Sequence, residues 1–213
     1  MAADAGRTPV LTDMGALALP FVCLVRHGET EWTMTGQRTG RTDIHLTARG
    51  EDEARALGVT LSRMPFTDVF TSPLQRAKRT CELAGFGAGA TVDPDLLEWD
   101  YGDYEGRRTL DIRADRPAWD LFADGCPNGE AVADVRARAD RVIARVRRCA
   151  GHVLLFAHRD IFRVVAARWL DLPASEGRRL YLDTGALSIL GYDHSVDEPV
   201  IRLWNQVPPP LKP

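Results

Sequence analysis

The chain has 213 residues, of which 45% are hydrophobic and 27% charged, and its formal net charge is −3. These values exclude a disordered or strongly polyionic chain, and the length suits one domain of ordinary size. Because the charge is nearly balanced, we expect no general attraction to nucleic acid or to an anionic membrane. Any anionic ligand must therefore be held by locally placed positive charge.

The four cysteines are widely separated and form no Cys-x-x-Cys pair. This spacing disfavours a disulfide framework or a zinc site, and we expect reduced thiols in a cytoplasmic protein. The longest apolar stretch, 15–25, is too short to span a bilayer and contains Pro20. We therefore expect residues 1–20 to be a flexible N-terminus that leads into a buried strand.

Hydrophobic periodicity predicts an alternation of strands and helices through the first half of the chain. The predicted elements are strands at 21–25, 67–71 and 91–93, a helix capped by Thr47, and a helix that begins at Ser72-Pro73 and ends at Gly85. Residues 27–46 are rich in Thr, Gly and charge, so we expect a long loop there.

The second half begins with 94–128, a segment rich in Asp, Gly, Pro and aromatic residues, with a short helix at 109–115. We expect this segment to be a lid-like insertion over the site. A long helix is predicted from about 129 to 149, with an arginine-rich face that we expect to be solvated. The remaining predicted elements are a strand at 152–157, a helix at 160–170, strands at 186–192 and 200–204, and a Pro-rich tail at 206–213.

This order of elements predicts an α/β fold. We expect three layers, α/β/α, with a mostly parallel central sheet and helices on both of its faces. No internal repeat or linker divides the chain, so residues 21–205 should form a single domain.

Polar side chains follow the predicted strands at the points where the strands end, which is where open α/β sheets bind ligands. They are Arg26, His27, Arg76, Glu98 and His158. Two guanidinium groups that can fork onto oxyanions indicate a phosphate or sulfate group. A neutral histidine beside them can act as nucleophile or base, with Glu98 protonating the leaving oxygen. We expect neither a metal nor a cofactor.

Four motifs carry these residues along the chain. They are Arg26-His27-Gly28-Glu29-Thr30, the run 72–80 that begins Ser72-Pro73-Leu74-Gln75-Arg76, the run 97–106 that begins Leu97-Glu98-Trp99, and Ala157-His158. In order and spacing they resemble the motifs of the histidine phosphatase superfamily, also called the phosphoglycerate mutase-like family. Within that family the chain looks most similar to the small sugar-bisphosphatase and broad acid phosphatase branch.

The resemblance implies a role for each matching residue. His27 would be phosphorylated and Glu98 would be the proton donor. The phosphoryl group would be bound by Arg26, Arg76, His158 and Thr33. Contacts to the rest of the substrate would come from Thr39, Gly40, Tyr101, Arg159 and Arg163.

One departure from the family pattern follows His158, where Arg159-Asp160 stands in place of the usual Gly and a frequent second His. The Arg159 side chain could contact a second anionic group of the substrate, or it could point to solvent. Elsewhere, Asp93-Pro94-Asp95 imitates the Asp-x-Asp of metal-dependent phosphatases, but the short run before it favours a turn.

The expected function is that of a metal-independent phosphomonoesterase, acting through phosphohistidine on small phosphorylated metabolites such as sugar phosphates or bisphosphates. Two alternatives stay open, a phosphoglycerate mutase and a non-catalytic binder of a phosphorylated ligand. Trp99 stands where the mutase pattern has Arg, which argues against the first. Retention of both His27 and Glu98 argues against the second. A homodimer is left open.

Overall fold

The computed structural model describes residues 19–210. The predicted flexible N-terminus, except for residues 19 and 20, and the last three residues of the Pro-rich tail lie outside this range. Within the described range, no helix is both long enough and apolar enough to cross a lipid bilayer.

Strands and helices alternate through most of the chain, as the periodicity predicts. The strands are β1 (Val22–Arg26), β2 (Phe66–Thr71), β3 (Thr91–Val92), β4 (His152–Ala157), β5 (Leu187–Tyr192) and β6 (Pro199–Gln206). The helices are α1 (Glu31–Thr35), α2 (Ala48–Leu61), α3 (Gln75–Leu83), α4 (Thr109–Asp115), α5 (Leu121–Asp124), α6 (Val132–Val146) and α7 (Arg159–Trp169).

The strands form one sheet in the order β3-β2-β4-β1-β5-β6. The first four strands in that order run parallel, whereas β5 and β6 pair antiparallel at one side. Strands β1 and β4 lie at the centre, with Arg26 opposite Ala157 at their carboxyl ends. The predicted α/β fold with a mostly parallel sheet is confirmed.

Alternate residues of β1 face opposite layers of helices, as side chains on a strand must. Val22 and Leu24 pack in a cluster with side chains of α6 and α7. Cys23 and Val25 pack in a second cluster with side chains of α2 and α3. Both faces of the central strands are therefore covered, which explains why their sequences are apolar throughout rather than alternating.

Helix α3 begins at Gln75, later than the predicted start at Ser72-Pro73. The backbone N–H of Ser72 donates to the carbonyl of Phe156 (2.8 Å), which extends the pairing of β2 with β4 by one residue. Leu74 is then the N-cap of the helix, with extended backbone angles. Because Ser72 is still paired with β4, it cannot start the helix. The predicted start at Ser72-Pro73 was therefore wrong, and the helix begins at Gln75.

The region predicted as a loop at 27–46 contains helix α1, which the sequence analysis missed. This single helical turn is held by local hydrogen bonds between Thr30 and Thr33, each side chain bonding to the backbone of the other. Such a capping box satisfies backbone groups at the start of a helix without any long apolar stripe. Hydrophobic periodicity therefore gave no sign of it.

The predicted insertion 94–128 packs into the main core rather than lying loosely over it. It contains α4, α5 and two short 3-10 turns. Its buried aromatic residues Trp99, Trp119 and Phe122 belong to the same cluster as α6 and α7. Trp99 meets Phe122 edge to face, with ring centroids 5.3 Å apart. Its action as a lid stays a prediction.

The arginine-rich face of α6 is not wholly solvated, contrary to expectation. Arg138 is only 8% exposed. Its guanidinium donates two hydrogen bonds to the carboxylate of Glu130 (both 2.7 Å) and further ones to the carbonyls of Asp95 (2.9 Å) and Leu97 (2.7 Å). Arg138 therefore holds the segment that leads into Glu98 against the long helix.

Replacing Arg138 with methionine should destabilise the protein by about 3–5 kcal/mol, because it leaves a partly buried carboxylate and two carbonyls without their donor. Chemical denaturation monitored by circular dichroism measures this loss. The matched control is Arg136→Gln on the same helix, where the side chain is 60% exposed. That control should change stability by less than about 0.5 kcal/mol. Equal losses in the two variants would contradict a structural role for Arg138.

Candidate active site

A cleft opens at the carboxyl ends of β1 and β4. Its lining includes seven of the residues predicted for the site, namely Arg26, His27, Thr33, Thr39, Glu98, Tyr101 and Arg159. Three predicted residues, Arg76, His158 and Gly40, lie behind this lining and contact one another or the loop that borders the cleft. Arg163 lies outside the cleft.

His27 is the first residue after β1 and is only 3% exposed. Its backbone N–H donates to the carbonyl of Ala157 (3.0 Å), which continues the pairing of β1 with β4. The ring Nδ1 lies 2.8 Å from the carbonyl oxygen of Gly28. A carbonyl only accepts, so Nδ1 carries the proton and Nε2 keeps its lone pair. Burial, helped by Arg76 and Arg26, holds the pKa of His27 well below its usual value.

His158 follows β4 and lies beside His27, with ring centroids 5.2 Å apart. The Nε of Arg76 donates to its Nδ1 (3.2 Å), so the ring proton resides on Nε2 and is donated to the hydroxyl oxygen of Ser72 (2.7 Å). Burial and Arg76 lower the pKa of His158 well below its usual value. The second histidine is therefore also neutral, and its one N–H faces Ser72.

Arg76, on the first turn of α3, is fully buried. Besides the bond to His158, it donates to the carbonyls of Thr39 (3.0 Å), Gly40 (2.8 Å) and Thr42 (2.9 Å). Among the described residues these bonds leave one Nη1 hydrogen for a phosphoryl oxygen. The predicted residues Thr39 and Gly40 are thus fixed through their backbone by the same guanidinium that was predicted to bind phosphate.

Glu98 lies in the cleft lining and is only 3% exposed. Its carboxylate accepts hydrogen bonds from the backbone N–H groups of Trp99 (2.9 Å), Asp160 (3.1 Å) and Ile161 (3.0 Å). The last two belong to the first turn of α7, whose N–H groups have no partner within the helix. Burial and the nearby Asp160 carboxylate raise the pKa of Glu98, against the effect of these hydrogen bonds.

Arg26 and Arg159 border the cleft on the side of the loop that follows α7. The Nη1 of Arg26 donates to the carbonyl of Leu182 (2.6 Å), and Arg159 lies over the ring of Tyr181, 5.4 Å from its centroid. Burial and the charge of Arg159 lower the pKa of Arg26 to about 10. Arg159 is part of the cleft lining, and its side chain is 40% exposed. Its contact with the substrate stays a prediction.

Arg38 and Asp160 also line the cleft, and the sequence analysis assigned no role to either. Arg38 stacks between Tyr101 and Trp119, with its guanidinium 5.2 and 4.8 Å from the ring centroids. The hydroxyl of Tyr101 donates to Asp160 (2.7 Å). Arg38 shares its loop with Arg41, and nothing in the sequence shows which of the two turns inward. Asp160 was visible only as part of the unusual Arg159-Asp160 pair.

Arg163 was predicted to contact substrate, but its donors are used elsewhere. Nη1 donates to the Asp160 carboxylate (2.6 Å), Nε to the carbonyl of Gly177 (3.0 Å) and Nη2 to that of Arg178 (2.8 Å). Although burial alone would raise the pKa of Asp160, Arg163, Arg159 and Arg38 together hold it well below its usual range. In this structure Arg163 positions Asp160 instead of lining the cleft.

Thr33 lines the cleft, but its hydroxyl is occupied. It donates to the carbonyl of Thr30 (2.7 Å) and accepts from the backbone N–H of the same residue (2.9 Å). The hydroxyl has only one proton to give. A bond from Thr33 to a phosphate oxygen, as predicted, therefore requires the α1 cap to release that proton.

The Asp93-Pro94-Asp95 segment forms a turn, as predicted. Asp93 caps a short 3-10 helix by accepting from the N–H of Asp95 (3.0 Å). Arg145 pairs with both carboxylates and Arg141 with Asp95, so α6 neutralises them. Among the described residues, a grouping with metal-binding spacing occurs at Asp193, His194 and Glu198, all exposed and outside the cleft lining.

Known proteins are similar to this chain over most of its length. Residues 22–207 match the sequence model of the histidine phosphatase superfamily, branch 1. The chain is 38% identical over 192 residues to an acid phosphatase of Mycobacterium tuberculosis, covering 88% of this chain and 94% of that protein. It is also 31% identical to the sedoheptulose 1,7-bisphosphatase of Saccharomyces cerevisiae, and this match covers 86% of this chain and 92% of that protein.

A solved structure of an open reading frame product from Mycobacterium tuberculosis superimposes with a TM-score of 0.84 at 35% identity, covering 88% of this chain and 98% of that one. The family match spans every strand of the sheet and all four motifs. Since the match covers most of the chain and the residues of the motifs meet at one end of the sheet, the chain belongs to the histidine phosphatase superfamily.

Proposed function

We propose that the protein is a metal-independent phosphoric monoester hydrolase that moves the phosphoryl group of a small phosphorylated substrate first to His27 and then to water. The observation that carries this proposal is the state of His27. It is buried and neutral, its Nδ1 proton is fixed on the Gly28 carbonyl, and its Nε2 lone pair is available in a cleft lined by arginines. The unprotonated ring nitrogen is the nucleophilic form of histidine.

In the first step, Nε2 of His27 attacks phosphorus and the bond from phosphorus to the ester oxygen breaks. Glu98 gives its proton to that departing oxygen, which leaves as an alcohol. Arg26 and the remaining Nη1 hydrogen of Arg76 bind the phosphoryl oxygens as charge develops on them. A carboxyl group whose pKa is raised by burial is suited to hold a proton for this purpose.

In the second step, water attacks the phosphorus of phosphohistidine and the P–N bond breaks. Glu98, now a carboxylate, takes a proton from the attacking water, and phosphate leaves with His27 neutral again. Reversibility requires the acid of the first step to be the base of the second. The three N–H groups that hold Glu98 suit this exchange, because they stabilise the carboxylate between the steps.

A phosphoglycerate mutase would instead return the phosphoryl group to a second substrate oxygen. The residue after Glu98 is then expected to contact substrate, but Trp99 is fully buried and its indole N–H donates to the carbonyl of Glu130 (2.8 Å). Its side chain is a core residue and is not part of the cleft lining. Water is therefore the acceptor that we propose.

The proposal also covers the cellular compartment, the substrates and the oligomeric state of the enzyme. The structure describes four free cysteines, three of them buried, which supports a reducing compartment such as the cytoplasm. Sugar phosphates and bisphosphates are the proposed substrates, supported by the similarity to a sugar bisphosphatase. A homodimer stays a prediction.

Replacing His27 with alanine should lower the rate of phosphate release from p-nitrophenyl phosphate by roughly 10³-fold or more, since the proposed mechanism then lacks its nucleophile. The control is His194→Ala, whose side chain is 80% exposed. That variant should retain full activity. Acid quenching with radiolabelled substrate should trap an acid-labile phosphoenzyme in the parent chain. Substantial activity in the alanine variant would refute the nucleophile assignment.

The pH dependence should reflect two opposite shifts. Because the pKa of His27 is lowered, its ring stays neutral at pH values below the ordinary pKa of histidine. Because the pKa of Glu98 is raised, its carboxyl group stays protonated at pH values above the ordinary pKa of glutamic acid. The profile of kcat/KM should therefore be bell-shaped with its maximum on the acidic side of neutrality, falling at higher pH as Glu98 ionises.

The same assignment predicts a leaving-group effect for Glu98→Gln. The variant should lose more of its phosphorylation rate on an alkyl phosphate than on p-nitrophenyl phosphate, because an alkoxide needs the proton more than a phenolate does. Single-turnover kinetics measures this step. An optimum confined to alkaline pH, or equal losses on both substrates, would rule out Glu98 as the acid.

Activity should survive prolonged dialysis against a chelator, because the proposed steps use only side chains and water. Phosphate release is measured before and after dialysis, and again after adding Mg²⁺, Mn²⁺ or Zn²⁺. A loss that one of these ions restores would contradict the metal-independent mechanism.

A further inference from the structure

The peptide group between Gly28 and Glu29 lies directly beside the ring of His27. Its carbonyl oxygen, on Gly28, is 2.8 Å from Nδ1 of His27 and accepts the ring proton there. Its N–H, on Glu29, donates to Oε2 of Glu53 (2.9 Å). One peptide group therefore joins a carboxylate on helix α2 to the ring nitrogen of His27 that does not attack phosphorus.

A hydrogen bond at one end of a peptide group changes the strength of the bond at the other end. The amide is conjugated, so an anion at its N–H moves electron density onto its oxygen. Hydrogen bonds in a chain polarise one another in this way, and the effect is larger where water is excluded. Since His27 is only 3% exposed, the Glu53 carboxylate makes the Gly28 carbonyl a stronger acceptor for the Nδ1 proton.

The chain packs tightly around this peptide group. A Cβ on Gly28 would lie 2.2 Å from the carbonyl oxygen of Gly50, and one on Gly50 would lie 2.2 Å from that of Glu29. The N–H of Gly28 donates to the hydroxyl of Thr80 (3.1 Å), and the carbonyl of Glu29 accepts from the N–H of Thr47 (2.9 Å). Helices α2 and α3 therefore hold the peptide group in one orientation.

Glu53 is packed against the segment that carries the nucleophile. Its side chain is 15% exposed, and its second oxygen, Oε1, lies 3.3 Å from Nε of Arg49. A Cβ on Gly185 would lie 2.9 Å from the Cβ of Glu53, so glycine permits this close approach. The N–H of Gly185 also donates to the carbonyl of His27 (3.1 Å). The carboxylate is thus in place whether or not a substrate is bound.

The charge on the His27 ring changes during the proposed reaction. Attack by Nε2 uses its lone pair, so the ring becomes positive as the P–N bond forms and the P–O bond breaks. The ring becomes neutral again when water breaks the P–N bond. Burial, Arg76 and Arg26 lower the pKa of His27 and so oppose a positive ring, whereas the hydrogen bond to Gly28 acts in the opposite direction.

Strengthening the hydrogen bond from Nδ1 to Gly28 therefore stabilises the positive ring. In Ser-His-Asp enzymes a buried carboxylate does this by accepting directly from the histidine N–H. Here a peptide group stands between the carboxylate and the ring.

We propose that Glu53 is a positioning residue for the nucleophile: its carboxylate, acting through the Gly28–Glu29 peptide group, holds the Nδ1 proton of His27 and stabilises the positive charge of the phosphorylated ring. This inference rests on the proposed function for the role of His27. Glu53 is not part of the cleft lining, so it acts without touching the substrate.

Single-turnover kinetics with p-nitrophenyl phosphate tests the proposal in Glu53→Gln. This variant keeps an oxygen for the Glu29 N–H but removes the charge. The phosphorylation rate should fall roughly three- to tenfold, since hydrogen bonds to charged groups exceed neutral ones by about that factor. Hydrolysis of the phosphoenzyme should be as fast as in the parent or faster, because the ring then loses its charge. The half-saturating substrate concentration should not change.

The matched control is Glu51→Gln on the same helix, whose side chain is 30% exposed and pairs with Arg55 and Arg79. It should leave both rates unchanged. Glu53→Ala, which loses the acceptor as well as the charge, should slow phosphorylation at least as much as Glu53→Gln. Thermal unfolding of every variant shows that it is folded.

Nuclear magnetic resonance of protein with ¹⁵N-labelled histidine observes the hydrogen bond without substrate. The Nδ1 proton of His27 is identified by its absence from the spectrum of His27→Ala. In Glu53→Gln this resonance should move upfield, because the hydrogen bond to Gly28 is weaker. In Glu51→Gln it should stay in place.

Three results would overturn the proposal. One is a phosphorylation rate in Glu53→Gln equal to that of the parent, because the charge would then have no effect. Another is an equal slowing of both steps, which indicates a general disturbance of the site. The third is an unmoved Nδ1 proton resonance in Glu53→Gln.

The two kinds of measurement separate this inference from the proposed function. A parent chain that hydrolyses p-nitrophenyl phosphate, with Glu53→Gln equally active, refutes only the role of Glu53. A parent chain without turnover refutes the proposed function, whereas an upfield shift in Glu53→Gln still supports the link between Glu53 and the His27 ring.

Discussion

The parallel pairing of β1 with β4 is the constraint on which the site depends. Their register places Arg26 opposite Ala157, so His27 and His158 each follow directly after a paired residue. The two rings therefore lie side by side although the sequence separates them widely. Helix α7 begins at the residue after His158, and its first N–H groups hold Glu98. A shift of one residue in the register of β1 against β4 would turn one of the two histidines to the other face of the sheet and separate the rings.

Burial is the largest cause of the pKa shifts of the two central groups of the proposed mechanism, and neighbouring charges add to it. Removing a group from water disfavours its charged form, so it lowers the pKa of a histidine and raises that of a carboxyl. The lowered pKa of His27 and the raised pKa of Glu98 are the directions that the proposed nucleophile and the proposed proton donor require. Asp160 is equally buried but stays ionised, because three arginines surround it. The balance of neighbouring charge therefore decides in which direction the pKa of a buried carboxyl group shifts.

The sequence predicted what depends on local pattern and missed what depends on distant contacts. Apolar runs located the central strands, and the strand ends identified Arg26, His27 and Glu98 as neighbours in one cleft. The inward turn of Arg38 depends on Trp119, far along the chain, and no local pattern records that contact. Arg138 looked like part of a solvated face, because helical spacing does not show that carbonyls of another segment meet it.

Arg76 links His158 to the loop that carries Arg38. By binding the carbonyls of Thr39, Gly40 and Thr42, one buried guanidinium anchors the residues directly after Arg38 to helix α3. The position of this loop relative to helix α3 is therefore held by hydrogen bonds from a buried side chain. A ligand that enters the cleft therefore meets Arg38 on a loop that is already fastened to the rest of the fold.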